Sequence, residues 1–294
     1  MKNPQVELAR KVMRSLKKHW MKTNPHARIV MNYLKEKYGE LPRADHMAIR
    51  SISGIGFGIQ EANSLFSALG YRFGALWPIP KLNINACHFE PPVPGLEKIF
   101  FSVIELDDIE TNLPPEENFK KIKKNIKSTV YNVSDEIYDI CEHIHSRLSR
   151  PCGLSKYLID DITGFFCSPV WIMKETAFLE ISKKPYLQET AHVLAHGFIP
   201  NHFTFLMKDP NYAFPGYTSM EALSKEIGSL GIKMQEQVEG DEDSTLCQVS
   251  TKAYSKSYIE FIKRGADPTS LTGRYEGFLP NQAQVLFKMT APMR

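Results

Sequence analysis

Three residues in this sequence have the types and settings of metal ligands, and a fourth has the charge to hold an acid. His46 and Arg50 lie in Arg43–Ile52, an apolar-rich run that reads as a β-strand. Alternation along a strand puts His46, Ala48 and Arg50 on one side and Asp45, Met47 and Ile49 on the other. The small Ala48 leaves room between a metal ligand and a fixed cation. His202 lies in a second such run, Phe198–Met207. Glu260 sits in Tyr258–Arg264 between Ile259 and Phe261, which face away from it, and shares its own face with Ile262. A carboxylate aimed into an apolar interior is costly unless it is paired or bound to a metal. Two histidines and one carboxylate are the ligand set of non-haem Fe(II) oxygenases, which keep positions open for substrate and O₂. The same residues also admit a plain structural role, with the histidines hydrogen-bonded in their strands and Glu260 paired with Arg264 or Arg50.

Other histidines make poorer sites. His192 and His196 are four apart on an expected helix, but Val193 stands where a helical metalloprotease motif needs glutamate. His143 and His145 fall on opposite sides of their helix, and His88 is isolated. The sequence holds no glycine-rich phosphate loop, nucleophile elbow or recognisable cysteine–histidine pairing.

Positioning the candidate ligands requires strands, and the sequence supplies them twice. Residues 1–42 read as two helices. Val6, Ala9, Met13, Leu16 and Trp20 form an apolar stripe on the first; Asn24-Pro25 starts the second and Gly39 ends it. Residues 43–110 follow the order strand, helix, strand, strand, strand, with the helix at Ile59–Leu69 closed by Gly70. Its later strands are expected near Tyr71–Trp77, Leu82–Phe89 and Lys98–Leu106. Residues 111–197 read as a mainly helical insertion, with Ser134 capping one helix and another running from about Pro185 to His196. Residues 198–264 then repeat the earlier order. The helix Ser219–Leu230 is stopped by Gly231, a hairpin joins Ile232–Val238 to Thr245–Thr251, and Ser257–Arg264 is the last strand. Glu61-Ala62-Asn63-Ser64-Leu65 and Glu221-Ala222-Leu223-Ser224-Lys225 occupy matching places, each with its glycine stop and an upstream histidine. The expected fold is α+β, a single domain of two paired βαβββ repeats with a tail at 265–294. Paired with pseudo-twofold symmetry, the first strands of the two repeats would bring His46 and His202 together.

Bulk properties narrow the class of function. Of 294 residues, 43% are hydrophobic and 23% charged, ordinary values for a soluble globular protein. A net charge of +3 is too mild for nucleic acid, and the Lys120–Lys127 run lacks the aromatic residues that stack on bases. Apolar runs such as Ile99–Ile104 are far shorter than a membrane span. Five cysteines with no C-x-x-C pair suit reduced thiols in a cytoplasmic protein, and the N-terminus does not read as a secretory signal. The sequence gives no oligomeric state.

Asp45-His46-Met47-Ala48-Ile49-Arg50, Asn201-His202-Phe203-Thr204 and Tyr258-Ile259-Glu260-Phe261 together resemble the 2-oxoadipate dioxygenase/decarboxylase family, also called hydroxyglutarate synthase. The likeness spans roughly residues 5–280. It implies a vicinal-oxygen-chelate cup, Fe(II) held by His46, His202 and Glu260, and a substrate carboxylate on Arg50. It further implies a 2-oxo acid and O₂ as the small-molecule partners, with 2-oxoadipate giving 2-hydroxyglutarate and CO₂. Ser102 occupies the place in the first repeat that Glu260 occupies in the second. Ser102, Tyr186, Thr204, Tyr258, Arg264 and Arg274 are further pocket candidates. Other metalloenzymes of the same cup (isomerases, lyases, extradiol-type dioxygenases) and a metal-free binding protein are the alternatives.

Overall fold

The structure, a computed structural model, describes residues 3–79, 83–106, 123–126, 130–149, 154–168, 181–183, 187–254, 257–269 and 273–274. The chain divides into two compact units. One comprises Met1–His19 with Ala48–Asn201, and the other Trp20–Met47 with His202–Arg294. The fold is mixed α+β, as the order of apolar periods predicts.

Two helices open the chain, α1 at Pro4–Thr23 and α2 at Pro25–Tyr38. On α1 the expected stripe is buried at Ala9, Met13, Leu16 and Trp20, with Leu8 and Val12 beside it, while Val6 is half-buried. Asn24 Oδ1 caps α2 by accepting from Ala27 N at 3.1 Å, Pro25 takes the first turn, and Gly39 ends the helix at φ 82°. The amide of Asn24 also donates to the backbone and hydroxyl oxygens of Ser257, both at 3.1 Å. That buried link ties the start of α2 to the residue preceding the last strand.

Strand β1, Arg43–Ile52, is shared, its first half in the second unit and its second half in the first. In the first unit it is followed by α3 (Ile59–Ala68), β2 (Arg72–Ile79), β3 (Ile84–Glu90) and β4 (Lys98–Ile104). β2, β3 and β4 pair antiparallel, and β4 lies next to β1. The insertion supplies α4 (Ser134–Leu148), α5 (Lys156–Cys167) and α6 (Gln188–His196). Aromatic rings fill the core of this unit: Phe57 lies 4.8 Å from Phe101 and 4.7 Å from Phe198, and Phe66 stacks on Phe166. Ser134 does not cap α4. It is the first helical residue, and its backbone N and hydroxyl both donate to Asn132 Oδ1, so the cap is supplied two residues earlier.

The second unit holds β5 (His202–Asp209), a short β6 (Tyr212–Ala213) paired with it, α7 (Met220–Gly228), β7 (Leu246–Ser250) and β8 (Tyr258–Arg264). The strand order is β1, β5, β8, β7, with β5 and β8 parallel and β7 antiparallel to β8. Trp20 packs on Phe203 at 4.9 Å beneath this sheet segment, and α2 lies against β8. Ser219, expected as the first residue of the repeated helix, instead caps α7 by accepting from Ala222 N. The expected hairpin is only half formed: Ile232–Glu239 makes isolated bridges, Met234 with Thr251 and Glu239 with Gln248. Five steps on one side span three on the other, so an irregularity interrupts the ladder. Ile232, Met234 and Val238 keep the period-two alternation, with Glu236 the one polar residue on their face, so the interruption lies in the register and not in the pattern. Among the described residues no helix is long and apolar enough to cross a membrane.

Candidate metal centre

Parallel pairing of β5 with β8 sets Thr204 opposite Glu260 and His202 opposite Tyr258. With β1 on the other side of β5, the second unit therefore draws His46, His202 and Glu260 into one cluster. All three side chains are buried, Glu260 to 1% exposure. One nitrogen of each histidine and one oxygen of the carboxylate all lie within 4.8 Å of one another. Glu260 Oε2 stands 3.7 Å from His46 Nε2 and 3.8 Å from His202 Nε2. Those separations are too long for good hydrogen bonds. They come close to the spacing of about 3–3.5 Å between ligands that share one ion at bonds of about 2.1 Å. Tyr258 stacks on the His202 ring at 4.5 Å and limits its rotation.

The carboxyl of the cluster is only partly satisfied by hydrogen bonds. Glu260 Oε2 accepts from Thr204 Oγ1 at 2.7 Å, whereas Oε1 is buried with no hydrogen-bond partner among the described residues. Burial is the largest influence on this carboxyl and pushes it up to about 8, with the Thr204 bond opposing and Glu239 and Asp45 adding to the rise. Thr204 Oγ1 also lies 3.0 Å from His46 Nε2. A protonated Glu260 donates to Thr204, which then donates to His46; an ionised Glu260 takes the Thr204 proton instead. The donor set, the burial and the orphaned oxygen all fit a divalent ion.

Asp45, which alternation puts on the opposite face, is the neighbour that orients His46. Its Oδ2 lies 2.9 Å from His46 Nδ1, and Arg264 grips it through Nε at 3.0 Å and a terminal nitrogen at 2.8 Å. Arg274 approaches Asp45 at 3.5 Å and donates to Asp209 at 3.0 Å. Burial alone would raise the Asp45 carboxyl, but the Arg264 charge and the bonds from His46 and Arg264 hold it well below the usual range. An ionised Asp45 takes the Nδ1 proton and turns the Nε2 lone pair toward the cluster. The one sequence signal for this role is an aspartate directly before the histidine.

Of the other candidates, Thr204, Tyr258, Arg264 and Arg274 all belong to this cluster and its support. Arg264 and Arg50 do not pair with Glu260. Arg50 lies in the first unit, where it donates to Glu189 Oε2 on α6. Ser102 is half-buried on β4 of that unit, opposite Ala86. Tyr186 lies outside the described residues. His192 and His196 meet edge to face on α6, and His88 bonds Glu90 at 2.9 Å. The described cysteines, Cys87, Cys141, Cys167 and Cys247, form no disulfide with one another.

Solved structures similar to this chain share its fold at low identity. Rice (Oryza sativa) hydroxyglutarate synthase, solved with 2-oxoadipate, matches at 20% identity and a TM-score of 0.74, over 99% of this chain and 94% of that one. A protein from Ralstonia eutropha JMP134, described as of the glyoxalase superfamily, matches at 16% identity and a TM-score of 0.72, over 94% and 87%. Pseudomonas putida hydroxyglutarate synthase with 2-oxoadipate matches at 14% and 0.52, over 89% and 59%. No curated protein sequence matches the chain. The family model for 2-oxoadipate dioxygenase/decarboxylase matches residues 1–276, and the chain belongs to that family.

Proposed function

We propose that this protein is an Fe(II)-dependent dioxygenase and decarboxylase of a 2-oxo diacid, converting 2-oxoadipate and O₂ to 2-hydroxyglutarate and CO₂. The CO₂ is the C1 carboxylate of the substrate; one atom of O₂ ends in the new carboxylate at the former keto carbon and the other becomes the new hydroxyl, so no second oxo acid is consumed. Family membership supports the reaction class, and the rice and P. putida relatives carry 2-oxoadipate in their crystals. The observation that carries the reading is the buried His46–His202–Glu260 cluster with its uncompensated Glu260 oxygen.

His46, His202 and Glu260 would hold the iron, which supplies Lewis acidity toward the 2-oxo acid and activates O₂. Asp45 keeps His46 in its ligating tautomer, and Arg264 keeps Asp45 ionised. Thr204 stabilises the ionised form of Glu260 by donating to it. Metal binding requires Glu260 to lose the proton that burial favours. Arg50 follows His46 by four residues on β1, about 13 Å of strand. Its planar fork suits the far carboxylate of a diacid whose 2-oxo acid end is held at the metal. Burial of the cluster excludes water from the reacting centre.

The test is anaerobic Fe(II) loading of protein purified without chelator, followed by measurement of O₂ uptake and CO₂ release with 2-oxoadipate and its shorter and longer homologues. Stoichiometric CO₂ per O₂, fastest with 2-oxoadipate, is expected. Stoichiometric metal without O₂ uptake for any 2-oxo acid would move the assignment to a non-oxidative metalloenzyme. Failure to bind Fe(II) at all would leave a metal-free binding protein.

A further inference from the structure

The Arg50–Glu189 pair gives the acid-binding arginine a carboxylate of the protein's own. Arg50 is 6% exposed and Glu189 3%, and both belong to the first unit. Replacing a buried ion pair with apolar side chains is often neutral or stabilising, so the pair is poorly explained by stability alone. On the reading above, a diacid binds with its far carboxylate on Arg50. Two carboxylates then face one guanidinium. The five N–H donors of arginine can serve both, but the anions repel across a low-dielectric space.

We infer that Glu189 is a specificity-determining residue that weakens the hold of Arg50 on a carboxylate, so that a dicarboxylate lacking the 2-oxo acid end binds poorly. Without Glu189, a buried arginine would grip any small dicarboxylate by charge alone. With it, the far carboxylate adds selectivity only when the other end of the ligand is anchored as well. Burial favours the neutral form of Glu189 and Arg50 favours the charged one, with burial prevailing so that the carboxyl is raised. This inference rests on the proposed role of Arg50.

Direct binding tests it, using calorimetry on the metal-loaded full chain without O₂, with adipate, hexanoate and 2-oxoadipate as probes. Glu189→Gln keeps the shape and an acceptor for Arg50 but removes the charge. It is expected to bind adipate roughly tenfold more tightly, on the scale of one relieved like-charge contact, with hexanoate within twofold of wild type. Glu189→Asp, which retains the charge, is expected to stay near wild type for all three probes. Arg50→Gln should lose the preference for adipate over hexanoate, and Arg50→Gln with Glu189→Gln should match Arg50→Gln alone. If Glu189→Gln is unfolded by circular dichroism, Glu189→Ser removes the same charge while leaving space for water, with the same expected tightening. Should Arg50→Gln weaken adipate while a folded Glu189 variant fails to tighten it, this inference is wrong and the role of Arg50 stands. If Arg50→Gln leaves the adipate preference intact, the role of Arg50 fails, and this inference fails with it.

Discussion

The two units compensate their carboxyl groups differently. In the first, Glu189 meets Arg50, and Glu90 accepts from Lys98 at 2.8 Å while bonding His88 at 2.9 Å. In the second, Asp45 is gripped by Arg264 in the same manner, but among the described residues Glu260 bonds only a threonine hydroxyl, with two histidines beyond bonding distance and the Arg264 charge acting from further off. Glu90 is pulled down to about 2 because the bonds from His88 and Lys98 and the Lys98 charge overcome its burial. Glu260 is pushed up to about 8 because burial prevails. The contrast separates carboxylates that the protein itself compensates from one that it does not.

Substitutions at the ligands should break this contrast most severely. Glu260→Gln is expected to lower metal affinity by at least about a hundredfold, while the metal-free protein melts no lower than wild type, since a buried neutral amide replaces an uncompensated acid. A lower metal-free melting temperature would show that Glu260 is already compensated. Next, Arg264→Met should destabilise the fold by about 3 kcal/mol in a denaturant titration, because it strands buried Asp45. Asp45→Asn is expected to cost about 10- to 100-fold in metal affinity while His46 remains in place; unchanged affinity would remove Asp45 from the site.

Titration separates the units by sign. Glu90, lowered from 4.5 to about 2, contributes stability that is present above pH 4.5 and lost as the pH falls toward 2. Glu260, raised from 4.5 to about 8, contributes stability to the metal-free protein that is full below pH 4.5 and lost as the pH rises through 8. Denaturation of the metal-free protein across this range should show the alkaline loss disappear in Glu260→Gln and the acid loss shrink in Glu90→Gln. The smallest effect is expected from Thr204→Val, about 1 kcal/mol of stability and a few-fold change in metal affinity, because it removes one hydroxyl from the cluster.

Strand alternation and the repeated helix were enough to bring His46, His202 and Glu260 together from the sequence, because those positions obey a period of two. Asp45 escaped the same rule. Neighbouring side chains on a strand start on opposite faces, and only its capture by Arg264 from β8 shows where the carboxylate goes. Glu189 carried no local signal, since its partner is 139 residues away and a glutamate in the first turn of a helix is ordinary. Ser134 looked like a cap because serine favours that place, but Asn132 offers a better acceptor two residues earlier. The segment at Ile232–Glu239 alternates as a strand should, but five of its steps span only three of its partner's, which leaves isolated bridges that no local pattern signals.

The division of β1 between the units also sets an order of assembly. The second unit opens with Trp20–Met47 and resumes only at His202. During synthesis His46 must wait for about 155 residues, roughly 8–30 s at about 5–20 residues per second, before His202 is made, and about 60 residues more before Glu260 is. Over that interval the apolar face of α2 has neither β5 nor β8 to cover it. Neither unit is a continuous stretch of chain, so a cut between Met47 and Ala48 would part the metal histidine from the arginine it is proposed to serve.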